Sequence, residues 1–181
     1  LKIFGEGYAY NAMAAIIAAN LLQVGIEDCV KYVEEYEGGN GRFEKLEYGD
    51  NLVIINDAYN ANPISMSMSV TTFGNIYGGK DDYHTIVVLG DMKGLGNVSE
   101  KKHMELGDLV KMYNFDEVYF VGEMVESFGL GESVNSADEI AALLNERIST
   151  LQGEKIAVLL KGSNSIGLYQ VPDFLKKLGA I

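Results

Sequence analysis

Chemistry-bearing side chains crowd a few short runs of this sequence. Asn56-Asp57-Ala58-Tyr59-Asn60-Ala61-Asn62-Pro63 gathers a carboxylate, a phenol and several amides. Asp57 could accept hydrogen bonds from two vicinal hydroxyls, such as a ribose presents, while Asn60 and Asn62 each offer a donor and an acceptor. The alternative is that Asp57 and Asn62 only cap a helix. Lys161-Gly162-Ser163-Asn164-Ser165 follows an apolar run, and a helix is expected to open there. Backbone N–H groups at such an opening, beside an ammonium, would make an anion site; capping alone explains the same residues equally well.

Other runs carry weaker signals. Gly94-Leu95-Gly96-Asn97-Val98-Ser99 imitates a dinucleotide fingerprint, but Ser99 stands where its third glycine belongs, and the run starts well beyond the preceding strand. No G-x-x-x-x-G-K-[ST] occurs, so this segment has no P-loop for the phosphates of ATP. His84, beside Asp81 and Asp82, reads as a residue of a solvated turn, and His103 as a structural residue of a helix. Neither has a nucleophile near it in sequence to form a triad. Two histidines and the single Cys29 lack the clustering of a zinc site, so no metal ligands and no catalytic side chain are assigned here.

The elements that must position these runs follow from periodicity. Tyr10, Met13, Ala14, Ile17 and Leu21 recur at helical spacing, with Gly25 as a terminating glycine, and a second helix holds Val30 and Val33. Glu37 to Gly41 is a glycine-rich linker, and a domain boundary falls there, separating 1–37 from 38–181. Phe43 to Tyr48 alternates as an edge strand should. Leu52 to Ile55, Thr85 to Leu89, Glu117 to Val121 and Ile156 to Leu160 read as strands, the apolar runs among them as buried ones. Helices follow each: one capped by Asn62 and opened by Pro63, one from about Ser99, one behind a capping box at Ser136 and Glu139, and one holding Phe174, Leu175 and Leu178. Met66, Met68, Met104 and Met112 are expected on helix faces in the core. Strand and helix in alternation predict an α/β, Rossmann-like fold with a mostly parallel sheet and helices on both faces. Ligands then bind outside the carboxyl ends of the strands, where the loops at 56–62, 90–98, 122–135 and 161–165 lie.

The chain has 181 residues, 48% apolar and 22% charged, which suits a folded globular protein and excludes disorder. A formal net charge of −12 without a Lys/Arg block argues against nucleic acid or an anionic membrane as partner. The opening Leu1-Lys2-Ile3-Phe4 has no signal-peptide form, and a lone cysteine fits a reducing, cytoplasmic compartment. Without an initiator Met, the numbering is expected to open inside a longer protein.

Gly41-Arg42-Phe43-Glu44, Asp57 to Pro63, Leu89-Gly90-Asp91-Met92 with His103 and Gly107 downstream, and Lys161-Gly162-Ser163 together resemble the Mur ligase family in order and spacing. Asn11-Ala12-Met13-Ala14-Ala15 is similar to the helix that closes that family's central ATPase domain. The likeness covers nearly the whole chain, with Asp57 to Pro63 its most specific part.

The resemblance implies the carboxyl-terminal domain of a three-domain, ATP-dependent amide ligase, preceded by the helical end of the central domain at 1–37. In such enzymes ATP phosphorylates a carboxylate, an amine attacks the acyl phosphate, and phosphate leaves. The Tyr59-Asn60-Ala61-Asn62-Pro63 version is similar to ligases that add D-alanyl-D-alanine to a UDP-N-acetylmuramoyl tripeptide; a ligase for another cell-wall peptide, such as archaeal pseudomurein, and a non-catalytic nucleotide-binding module are the alternatives. By the same resemblance Arg42 meets ATP at the hinge, Asp57 its ribose, and Tyr59 and Asn60 help hold it. Asn62, Lys161 and Ser163 would serve the peptide substrates, with magnesium ligands mainly upstream. The sequence departs from the family pattern in two places: Gly7-Tyr8 stands in place of His-Asn, and Asn164 in place of an arginine that would hold a carboxylate in bidentate fashion.

Overall fold

The computed structural model describes residues 5–80, 82–151, 153–179 and 181; the opening residues 1–4 and Asp81 lie outside that set. The chain opens with two helices, α1 (Glu6–Leu21) and α2 (Ile26–Glu35), then an antiparallel pair, β1 (Glu44–Tyr48) and β2 (Leu52–Asn56). It continues as α3 (Pro63–Tyr77), β3 (His84–Gly90), α4 (Ser99–Lys111), β4 (Glu117–Val121) and α5 (Val125–Phe128). β5 (Glu132–Val134), α6 (Ala137–Thr150), β6 (Ile156–Lys161) and α7 (Val171–Leu178) complete it. The six strands form one sheet in the order β1-β2-β6-β3-β4-β5, parallel except for the edge pair of β1 and β2. This is the Rossmann-like α/β arrangement expected from the alternation.

The strands are continuous apolar runs because both faces of the sheet are covered. Val53, Ile55, Val87, Leu89 and Leu159 pack on one side with Met66, Val70 and Phe73 of α3 and Leu106 and Val110 of α4. Ile54, Ile86, Val88, Val158 and Leu160 pack on the other with Ile140 and Leu144 of α6 and Val171 and Leu175 of α7. Successive residues of one strand thus serve opposite layers.

Local chemistry sets the helix ends. Asn62 accepts from Ser65 N at 2.9 Å and its own N–H donates to Ser65 Oγ at 3.1 Å, a reciprocal cap that opens α3 with Pro63 behind it. At α6 only half of the expected box forms: Ser136 accepts from Glu139 N, but the Glu139 carboxylate takes Asn135 N and Nδ2 instead. Gly25 does not terminate α1. Gln23 adopts φ 67°, Val24 N–H reaches Ala19 O at 3.1 Å and Gln23 N–H reaches Asn20 O at 2.9 Å, so a Schellman turn closes the helix without glycine. Gly25 is instead the cap of α2.

Further expectations are corrected. The loop at 122–135 contains α5 and the edge strand β5, both too short to give a periodic signal. Of the four methionines placed in the core, only Met66 is buried; Met68, Met104 and Met112 are 39%, 52% and 78% exposed. Among the described residues no helix is long and apolar enough to cross a membrane.

Candidate functional site

β2 and β6 are parallel neighbours, with Asn56 opposite Leu160, yet the helices that follow them lie on opposite faces of the sheet. A crevice therefore opens beyond their carboxyl ends. Asp57 and Lys161 stand at its floor. Lys161 Nζ lies 3.1 Å from Asp57 Oδ2 and donates to the carbonyls of Asp57 at 2.9 Å and Asn60 at 2.6 Å, which occupies its three protons. Burial pushes the ammonium below the ordinary lysine value, and the Asp57 carboxylate opposes that shift. Asp57 in turn accepts from Phe43 N–H through Oδ1 at 2.9 Å and from the Ser69 hydroxyl through Oδ2.

Those bonds tie the strand end to Phe43 and to α3. Phe43 is buried and has φ 54°, a left-handed conformation that costs a bulky residue about 1–3 kcal/mol. Its bond to Asp57 and its burial hold it there. Gly41, at φ 68°, accepts from Tyr59 N–H at 3.0 Å, and a Cβ at that position would stand 3.2 Å from Tyr59 N. The close approach lays the Arg42 guanidinium over the Tyr59 ring, 4.1 Å from its centroid. Arg42, Asp57, Tyr59, Asn60, Asn62 and Lys161 thus all line one cleft of about 770 Å³.

The opposite wall comes from Tyr8 and Asn11 of α1, Tyr32 of α2, Tyr36 just beyond it, and Met68 and Thr72 of α3. Burial and the neighbouring Asp57 carboxylate push the Tyr8 phenol up, so it stays protonated and able to donate. Gly7 is where α1 meets α3: a Cβ there would come within 2.0 Å of Met68 Cε. Asn60 bonds the next backbone N–H, that of Ala61, at 2.9 Å, and Asn62 is engaged as the cap of α3.

Ser163 belongs to a different cluster. Its hydroxyl accepts from Lys93 N–H at 2.9 Å and its own N–H donates to Asp91 O at 3.1 Å. Asp91, fully buried, accepts from the N–H groups of Glu123 at 2.9 Å and Met124 at 3.0 Å and from Lys93 Nζ at 3.0 Å. The Lys161 and Ser163 side chains therefore point to separate places. No long helix opens at 161–165, where an anion site was expected: Asn164–Ile166 and Leu168–Gln170 are single 3-10 turns, α7 starts at Val171, and the ammonium is turned inward to carbonyls. Gly94 and Gly96 take left-handed turns leading into another 3-10 turn, which is no dinucleotide loop.

The histidines differ from each other. His103 is fully buried in α4, where its Nε2 accepts from Met92 N–H. His84 is not in a solvated turn; it opens β3, 2.8 Å from Glu117, in a cluster with Arg147 and Tyr119. Among the described residues no group of three or more His, Cys, Asp or Glu side chains is arranged to hold a metal ion.

Residues 41–164 match the model of the Mur ligase, glutamate ligase domain. The chain belongs to the Mur ligase family. It is 29% identical over 183 residues to the UDP-N-acetylmuramoyl-tripeptide--D-alanyl-D-alanine ligase of Escherichia coli (strain K12), an alignment covering 99% of this chain and 39% of that relative. A crystal structure of MurF from Acinetobacter baumannii superposes with a TM-score of 0.83 at 28% identity, over 96% of this chain and 38% of that one. MurF ligase from Thermotoga maritima, solved in complex with ADP, gives a TM-score of 0.76 at 25% identity, over 97% and 39%. The chain thus spans well under half the length of these relatives.

Within this Mur ligase domain, several wall residues escaped sequence reasoning. Ser69 looked like an ordinary helix serine, yet it lies one turn beyond Ser65 on the side of α3 that faces Asp57, with Ser65 O as a second partner at 2.8 Å. Tyr32 and Tyr36 carried a signal: aromatic residues spaced by four, one in the short helix α2 and one at its C-cap.

Proposed function

We propose that this chain is the carboxyl-terminal part of an ATP-dependent amide ligase that adds D-alanyl-D-alanine to a UDP-N-acetylmuramoyl tripeptide in cytoplasmic cell-wall precursor synthesis. The observation that carries this reading is the cleft in which Arg42, stacked on Tyr59, rims the Asp57–Lys161 floor beside the linker. A volume of about 770 Å³ with aromatic walls suits a nucleoside. Its residues fit a base and sugar better than phosphates, because the Lys161 charge is already committed to Asp57 and two carbonyls. The phosphate cradle and the magnesium ligands are assigned to the remaining domains of the same protein.

When bound, ATP supplies the phosphoryl group that activates the acceptor carboxylate as an acyl phosphate, which the dipeptide amine then attacks. This chain's residues bind and orient. Arg42 and Tyr59 present a flat cationic and aromatic surface to the base, with Asn60 beside them, and Asp57 offers the ribose what acceptor capacity its three donors leave. Asn62 keeps its amide nitrogen for a substrate oxygen. Lys161 fixes the 57–60 loop, and Ser163 faces the amino component. Residues 1–37, of which 1–4 lie outside the described set, are assigned to the end of the central ATPase domain. The exposure of Tyr10, Met13, Ile17 and Leu21 on α1 supports that, since this apolar face needs a partner.

Calorimetric titration of the full-length protein with ADP tests the cleft. Tyr59→Ala and Arg42→Ala should each weaken ADP binding by about fivefold or more, at roughly 1–2 kcal/mol for a desolvated cation–π contact. Arg42→Lys should recover only part of it, having lost the planar stack. Unchanged affinity in both alanine variants would remove the nucleotide from this cleft.

A further inference from the structure

The segment Gly90-Asp91-Met92 that leaves β3 and the helix histidine downstream take no part in the cleft, and Ser163 lies apart from Lys161. The hydrogen bonds join these three features. Three consecutive backbone N–H groups after β3 each have a separate anchor. Asp91 N–H donates to Val121 O at 3.2 Å, Met92 N–H to His103 Nε2 at 3.0 Å, and Lys93 N–H to Ser163 Oγ at 2.9 Å. The His103 ring is fully buried, edge-on to Phe128 at 5.0 Å, and its Nδ1 lies 2.7 Å from Ser99 O. A carbonyl can only accept, so the proton sits on Nδ1, and Nε2 is a lone-pair acceptor aimed at Met92 N–H.

Ser163 is held by the same loop from two sides. Its N–H donates to Asp91 O and its hydroxyl oxygen accepts from Lys93 N–H, while among the described residues the hydroxyl hydrogen has no acceptor. With its oxygen occupied, Ser163 is set as a donor toward a carboxylate or carbonyl oxygen. We propose that His103 is a positioning residue for Ser163: by accepting Met92 N–H it fixes the loop whose next N–H, that of Lys93, orients the Ser163 hydroxyl toward the carboxylate-bearing amino component. This rests on the reading of Ser163 given above. His103 touches no substrate and acts only through Met92 and Lys93.

The test uses the full-length protein and the dipeptide D-alanyl-D-alanine. His103→Gln can place an amide oxygen near the Nε2 position and keep an acceptor for Met92 N–H. His103→Asn reaches only to the Nδ1 position and loses it. His103→Asn should raise KM for the dipeptide by about tenfold, with KM for ATP and for the UDP-linked peptide unchanged, and His103→Gln should restore most of it. Ser163→Ala should raise the same KM, and the double variant with His103→Asn should be no worse than Ser163→Ala alone, because both remove one contact. Additive effects, or equal effects of Asn and Gln on all three KM values, would overturn the proposal. Amide hydrogen exchange without substrate separates this from the functional reading: exchange at Met92 and Lys93 should speed up in His103→Asn and not in His103→Gln. If the wild-type protein does not use the dipeptide while exchange behaves so, the substrate assignment fails and the positioning stands; if exchange is unchanged, the positioning fails.

Discussion

Asp57 and Lys161 are 104 positions apart in sequence and meet at 3.1 Å across the ends of β2 and β6, with side-chain exposures of only 13% and 3%. The pair links Phe43, the first core strand and the last one. Asp57→Asn would keep an oxygen for Phe43 N–H but leave the buried ammonium without its counter-charge. Breaking such a pair from one side costs about 3–5 kcal/mol, more than the loss of a helix cap, at about 0.5–2 kcal/mol. Urea denaturation should show a loss near the larger figure, and adding Lys161→Met should recover part of it. A midpoint within error of wild type would mean that the pair is not closed in solution.

At the amino edge of the sheet the pH dependence has a definite sign. Burial alone would raise the Glu117 carboxyl, but hydrogen bonds from Arg147, Tyr119 and His84 outweigh it and hold the group below its ordinary 4.5. A carboxyl depressed in the folded state contributes stability above its unfolded value, and that contribution is lost as pH falls through the folded value. Stability should therefore decline below about pH 4.5, and Glu117→Gln should flatten that decline while lowering stability at pH 7. Urea midpoints of both proteins at pH 7 and below pH 4.5 measure it; parallel declines would contradict it.

Gly107 shows why one glycine sits mid-helix in α4. A Cβ there would stand 1.9 Å from the Phe128 carbonyl oxygen, a backbone atom that cannot turn aside. Gly107→Ala should gain helix propensity yet lose net stability, by about 1–3 kcal/mol, as overpacking of α4 against α5. A thermal melt decides the sign, and a raised midpoint would contradict the close approach.

Much of this architecture was legible because the signals were local. Leu52 to Ile55 and Ile156 to Leu160 are apolar without alternation, which in short runs means burial on both faces, and Asn62-Pro63 carries its own cap. The cleft was half legible. Asp57, Tyr59 and Asn60 lie in one loop, but the partners of Asp57 come from position 43, from the second turn of α3 at Ser69, and from Lys161. Nothing in spacing tells whether an ammonium at a strand end faces outward to an anion or inward to carbonyls. The turn of the chain after β6 decided that, by making 3-10 turns where a helix was expected.

The ligase assignment is tested most directly by phosphate release from ATP by the full-length protein, measured with each peptide substrate omitted in turn and repeated on residues 1–181 alone. Release should require both the UDP-N-acetylmuramoyl tripeptide and D-alanyl-D-alanine, and 1–181 should release none, since it has no P-loop. Metal-dependent ATP turnover by 1–181 in proportion to its concentration, or full-length turnover indifferent to the dipeptide, would contradict it.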